Sequence, residues 1–167
     1  MNLVQRRAIF VNNVYLNSAV KGDRMENQFK DFYDVLRENL DSYRGEYESF
    51  IDHGPDIYEL LTDILNEKSI NSKLRMKICA ALGYFVVPFD IIPEQIYGPH
   101  GYIDDIFLCS YVLKEVQNEK GIIFLDELWE GDEEIEDVLN VCYNQSKEIL
   151  GDKVNEILNY VGFEIVK

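Results

Sequence analysis

The sequence predicts an all-α fold: a single-domain helical bundle, 1–167, of seven to nine helices around a central antiparallel helical hairpin at 72–118. Three observations carry this expectation. Apolar residues recur at helical spacing along most of the chain. A corner rich in proline and glycine separates two strongly apolar stretches near the middle, and no repeat, low-complexity tract or long linker interrupts the pattern. At 167 residues and 47% apolar content, the chain is long enough to bury a core without disulfide staples.

Taken in order, residues 3–20 are loosely compatible with helical spacing, and Lys21-Gly22-Asp23 ends that segment. The next stripe is clearer. Met25, Phe29, Phe32, Leu36, Leu40, Tyr43, Tyr47 and Phe50 advance 25 residues in seven steps, a mean of 3.57. A helix from Arg24 to Ile51 would be about 42 Å long, with Gly45 as a point of bending. "DHGPD" breaks it: Gly54 suits a helix end and Pro55 the start of the next helix, marked by Ile57, Leu60, Leu61, Ile64 and Leu65.

Ser72 is placed to cap a helix over Lys73–Val87, which Pro88 stops. A second apolar helix follows from Asp105 to Asn118, closed by Gly121. "GIIFLDELWE" reads as either a short strand or a helical turn. Asp132 is placed to cap a helix that turns Ile135, Val138, Leu139, Cys142 and Ile149 inward. Val154, Ile157, Leu158 and Val161 mark a last helix before Gly162.

Charge narrows the partners. With 31 acidic and 16 basic residues the net charge is −15, which disfavours direct contact with nucleic acid or an anionic membrane, since both need clustered Lys and Arg. The same balance suits a basic protein partner, or mimicry of nucleic acid. Cys79, Cys109 and Cys142 are odd in number and widely spaced, so neither a disulfide framework nor a zinc site is expected, and a reduced, cytoplasmic setting is the simpler reading. Asn12, Asn13 and Asn17 interrupt the N-terminal apolar run, against a signal peptide. The longest apolar run, Ile78–Phe89, is twelve residues, short of the roughly 20 that a membrane-spanning helix needs.

The corner itself combines three features. A helix rich in small and aliphatic residues leads into P-x-D-x-x-P-E, Pro88 to Glu94, and then G-x-x-D-D, Gly101 to Asp105, opens onto the second apolar helix. Together they resemble the YkvA-like family, a family with no established activity, over roughly residues 72–115. The matching positions are Ala80, Ala81, Tyr84, Pro88, Asp90, Ile92, Pro93, Gly101, Asp104 and Asp105. Glu94 stands where the family more commonly has Asp, and the linker to Gly101 is one residue longer. The resemblance implies a helical hairpin and carries no catalytic assignment.

An antiparallel hairpin would gather Asp90, Asp104 and Asp105 at one end. Two carboxylates ~4 Å apart repel by about 4 kcal/mol at an effective dielectric of 20, so something must offset the repulsion. Helix capping does so: Asp90 would cap a short helix after it, and Asp104 the following helix, with Asp105 in the favourable first turn. The alternatives are a paired Arg or Lys, or a metal site. In the last, Asp90, Asp104 and Asp105, helped by Glu94 or His100, would hold Mg²⁺, Mn²⁺ or Ca²⁺ through oxygen ligands.

The run "DELWEGDEEIEDV" carries eight carboxylates between Asp126 and Asp137. It reads as a solvated face, or as a contact for a basic partner with Trp129 as aromatic anchor beside Glu133, Glu134 and Glu136. His53 and His100 stand in Gly-Pro corners without a neighbouring nucleophile and read as surface histidines; Cys79 and Cys109 read as small core residues. No phosphate-binding loop or nucleophile elbow appears. The sequence therefore points first to a non-enzymatic interaction or regulatory domain with an acidic surface. A metal-dependent hydrolase using the three aspartates, and an acidic nucleic-acid mimic, are the other two classes.

Overall fold

The computed structural model describes the backbone of residues 23–86 and 98–163, and the side chains of 32–86 and 98–163. The fold is all-α. Among the described residues there are seven α-helices, two 3₁₀ turns and no strand: α1 Asp23–Ser42, a 3₁₀ turn Ser49–His53, α2 Gly54–Asn66, α3 Ser72–Val86, a 3₁₀ turn Gly98–Tyr102, α4 Ile103–Lys120, α5 Ile122–Asp126, α6 Ile135–Leu150 and α7 Lys153–Tyr160. The helix expected over 3–20 lies outside the described residues.

The second stripe is shorter than its period suggests. The helix ends at Ser42, where the Tyr43 amide donates to the Leu40 carbonyl (3.2 Å) and tightens the last turn. Phe32, Leu36 and Leu40 are buried from it. Tyr43 is 40% exposed, and Phe50 and Ile51 reach the core from the 3₁₀ turn rather than from a longer helix. The chain therefore leaves the helix three residues before Gly45, and beyond it Tyr47 donates its hydroxyl to Asp52 at 2.6 Å. Gly54 ends the 3₁₀ turn, its amide donating to the Ile51 carbonyl, and is also the first residue of α2, at φ −53°; it allows close approach besides, since a Cβ there would lie 3.3 Å from Cδ1 of Ile106.

The hairpin is present, and its side-chain pairs give its direction. Tyr84 meets Asp104, Lys77 meets Glu115, and Asn71 meets Glu119, so one number falls as the other rises and α3 runs antiparallel to α4. The cap of α3 is Asn71 rather than Ser72: its Oδ1 accepts the Leu74 amide at 2.9 Å. Arg75 closes the preceding connection, donating to the carbonyls of Leu65, Glu67 and Ile70.

Packing explains the centre. Phe32 of α1, Tyr58 of α2 and Phe85 of α3 meet edge to face at centroid distances of 5.3, 6.1 and 5.5 Å, each such pair worth about 0.5–1.5 kcal/mol beyond its buried area. Against them lies α4, buried along most of its length and packed on α2, α3, α5, α6 and α7. Fully burying a side chain such as Phe107 or Leu108 stabilises by roughly 1.5–3 kcal/mol, so this helix anchors the fold.

Downstream, the ambiguous "GIIFLDELWE" forms the short helix α5 followed by a loop. Glu134, not Asp132, occupies the N-cap of α6, without a side-chain capping bond. Ile149 is 48% exposed and Leu150 takes the buried position expected of it. Cys109 and Cys142 are buried, whereas Cys79 lies on the exposed side of α3 and is no core residue. No helix among the described residues is long and apolar enough to cross a membrane.

Candidate functional site

Two places gather the residues that the sequence singles out. The first is the corner of the hairpin. The 3₁₀ turn Gly98–Tyr102 runs straight into α4, with Tyr102 at the N-cap position in right-handed conformation and no side-chain cap. Asp104 and Asp105 are therefore the second and third residues of the helix. The expectation that Asp104 caps it is wrong by two positions, since the 3₁₀ turn delivers a helical backbone before the aspartates are reached.

Both carboxyl groups are fully buried, although the first turn remains a favourable place for acids. The hydroxyl of Tyr84, in the last full turn of α3, donates to Oδ2 of Asp104 at 2.7 Å. One turn further along α4, burial, and secondarily the charge of Asp105, push the Cys109 thiol well above its usual range. Asp90 and Glu94 lie outside the described residues. His100 turns elsewhere, its Nδ1 2.6 Å from Oε2 of Glu48. Among the described residues no group of three or more His, Cys, Asp or Glu is placed to hold a metal ion.

The second place is a cleft of about 400 Å³ between α1, the first 3₁₀ turn, the start of α2 and the acidic loop before α6. Trp129 lies half-buried against the core, and its Nε1 donates to the carbonyl of Glu133 at 2.7 Å, which folds the loop over its own indole. Gly131 is required under that ring: a Cβ there would sit 2.2 Å from Cζ2 of Trp129. Glu133, Glu134 and Glu136 are all exposed, and Glu133 also lines the cleft.

The opposite wall is polar and ordered. Arg37 of α1 pairs with Asp56 at 2.8 Å, donates to the Asp52 carbonyl at 3.2 Å, and lies 5.5 Å above the Tyr33 ring. Tyr33 also donates to Asp56, at 3.3 Å. Burial works against the guanidinium charge, but hydrogen bonds and the carboxylate of Asp56 outweigh it and raise the Arg37 pKa. His53 is not a plain surface residue. Its side chain is 21% exposed and its Nε2 is 4.0 Å from Oε1 of Glu133.

Of the four residues expected at a partner contact, the structure exposes the three glutamates and ties the Trp129 N–H to the Glu133 carbonyl of the same loop. The sequence reading missed Tyr33, Arg37, Asp52, His53 and Asp56 as the other wall. The Arg37 bonds span 15 and 19 positions and the Tyr33 bond 23, so no local spacing announces them. The available signal was the placement of Asp52, His53 and Asp56 around one Gly-Pro corner.

The family described as "Protein of unknown function (DUF1232)" matches residues 74–111, which hold Tyr84, Asp104 and Asp105 and coincide with the resemblance read at 72–115. An uncharacterized protein, ORF9, of Methanothermobacter thermautotrophicus is 39% identical over 132 residues, 79% of this chain and 90% of that protein. The E3 ubiquitin-protein ligase RNF170 of Xenopus tropicalis is 33% identical over 95 residues, 50% of this chain and 37% of the ligase. The chain therefore matches well under half of the ligase's length. No solved structure matches the chain. The acidic stretch 129–136, loop and start of α6, lies beyond the family segment.

Proposed function

We propose, for a chain that belongs to the DUF1232 family of proteins of unknown function, that it is a non-enzymatic interaction domain whose acidic cleft receives a basic protein partner. One observation carries this reading. Glu133 and Glu134 face solvent at the end of a loop that Trp129 fastens to the core, and Glu136 does so from the first turn of α6, beside a cleft whose other wall holds Asp52 and Asp56. A row of carboxylates attracts a cationic surface, speeds encounter and rejects anionic competitors. The three free cysteines support a reduced, cytoplasmic setting.

The test is capture of partners from source-cell lysate by the wild-type chain and by a Glu133→Lys, Glu134→Lys, Glu136→Lys variant. A stoichiometric basic protein bound by the first and lost by the second is the expected result. Equal recovery by both baits, or no stoichiometric partner, refutes the reading. Competition of the recovered protein by nucleic acid would move the function to nucleic-acid mimicry.

A second reading rests on the adjacent burial of Asp104 and Asp105 inside the family segment. There the aspartates, with Asp90, would hold Mg²⁺, Mn²⁺ or Ca²⁺ for hydrolysis by a bound water. Metal at 100 times its Kd adds about 2.7 kcal/mol to the folded state, so melting should rise with one of the three ions. No shift and no co-purified metal would remove it.

A further inference from the structure

Each of the chain's two histidines faces a glutamate, and the two pairs sit at opposite ends of the same 3₁₀ turn. Glu48, at the N-cap of Ser49–His53, meets His100; His53, its last residue, meets Glu133 of the acidic loop. The two pairs are not alike. His100 and Glu48 are already in contact at 2.6 Å, whereas His53 and Glu133 stand 4.0 Å apart with Glu133 70% exposed. The first pair is closed, and the second has room to close.

We infer that His53 is a pH-operated latch on the acidic cleft, drawing the Glu133 loop inward when protonated and releasing it when neutral. Histidine is the side chain whose charge ordinarily changes between about pH 5 and 8. The charged groups around His53 act on both partners, the acids attracting a protonated imidazole and repelling Glu133, while Tyr33 of α1 adds a neutral hydroxyl to the same wall. Asp52 is the chain neighbour of His53; Asp56 of α2 and Glu130, Asp132 and Glu133 of the loop line the same cleft. Arg37 of α1 opposes the imidazole charge, but is itself held by Asp56 and the Asp52 carbonyl. From α6, packed on the other side of the turn, the thiol of buried Cys142 meets the Phe50 carbonyl at 3.7 Å, and Glu136 and Asp137 supply the charge of the first turn.

The consequence for partners rests on the reading above. A protonated His53 occupies Glu133 and adds positive charge inside the cleft, so a basic partner should bind more weakly as pH falls. The latch itself needs no partner to be seen. Trp129 is the chain's one tryptophan and is hydrogen-bonded to the Glu133 carbonyl, so its emission and acrylamide quenching report the position of the loop.

The experiment follows Trp129 fluorescence from pH 8 to pH 5 at fixed ionic strength, with circular dichroism to confirm folding. Wild type should show one transition across the scan, with reduced quenching on the acid side. His53→Gln and Glu133→Gln should lose it, and His100→Gln should keep it. Glu133→Gln, at an exposed site, keeps the test valid if His53→Gln fails to fold. A wild-type signal flat across the range, a titration surviving in Glu133→Gln, or one lost in His100→Gln overturns the latch. Binding of an oligolysine peptide is measured alongside, and should weaken below the midpoint. No binding at any pH with the titration intact refutes the basic-partner reading and leaves the latch standing.

Discussion

Tyr84 donates its hydroxyl proton to Oδ2 of Asp104 across 2.7 Å, which ties the last full turn of α3 to the first turn of α4 at a fully buried carboxyl. The two helices are thereby pinned at the corner end, while Lys77–Glu115 (2.7 Å) and Asn71–Glu119 (2.9 Å) hold the rest of the hairpin. Removing either partner leaves a buried polar group short of a hydrogen bond. Tyr84→Phe should therefore lower unfolding free energy by about 1–3 kcal/mol. Asp104→Ala should cost at least as much, and the double variant less than the sum of the two, because they share one interaction. Urea unfolding of the four proteins measures this; strict additivity would show that the bond contributes nothing.

Arg75 offers a second test. Its guanidinium donates to three backbone carbonyls, those of Leu65, Glu67 and Ile70, and so satisfies the end of α2 and the turn into α3 at once. A lysine at this position keeps the charge but not the planar fork. Arg75→Lys should lose about 1–3 kcal/mol, close to the loss for Arg75→Ala, when both are read by thermal or urea unfolding.

Tyr47 supplies a pH prediction. Partial burial first, then its hydrogen bond to Asp52, raise its phenol from 10.0 to about 12. A raised folded-state value means that this contribution to stability is complete below about pH 10 and disappears as pH climbs through about 12. Tyrosine resonances labelled with ¹³C should include one with that late midpoint, absent from Tyr47→Phe. Loss of the Tyr47 proton near pH 10 would contradict the arrangement.

Gly131 tests the loop. The clash of an added Cβ with the indole is severe, so Gly131→Ala should expel Trp129 from its place over the loop. Its emission should shift to the red, with a stability loss of about 1–3 kcal/mol typical of overpacking. Charge reversal at Glu133, Glu134 and Glu136 should instead leave stability within about 0.5 kcal/mol per site, as for exposed positions elsewhere.

Helical class and hairpin were legible because burial imposes its period directly: Ile57, Leu60, Leu61 and Ile64 all reach the core as their spacing requires. Boundaries were harder. Tyr47 and Phe50 continue the phase of Phe32, Leu36 and Leu40 through a loop, so periodicity alone could not see the break at Ser42. Asn71 and Ser72 are both good caps, and only the bond to Leu74 distinguishes them. The outward glutamates were legible from their charge. The wall formed by Arg37 and Asp56 was not, because it depends on how α1 crosses α2, which no local pattern encodes. The burial of Asp104 and Asp105 ran against the ordinary rule for acids, and the 3₁₀ turn that places them past the N-cap, in the first turn of α4, left no separate mark in the sequence.

The enclosure of α4 has a consequence for how the molecule breathes. The stretch of α4 enclosed by its neighbours, as far as Val116, cannot open independently, so its amide protons meet solvent only when the whole assembly opens. Deuterium uptake between Phe107 and Val116 would then report the global unfolding free energy. The amides of the Trp129–Glu133 loop, exposed at the rim, would exchange through small local openings. One chain would carry both a slow clock at its axis and a fast one at its edge.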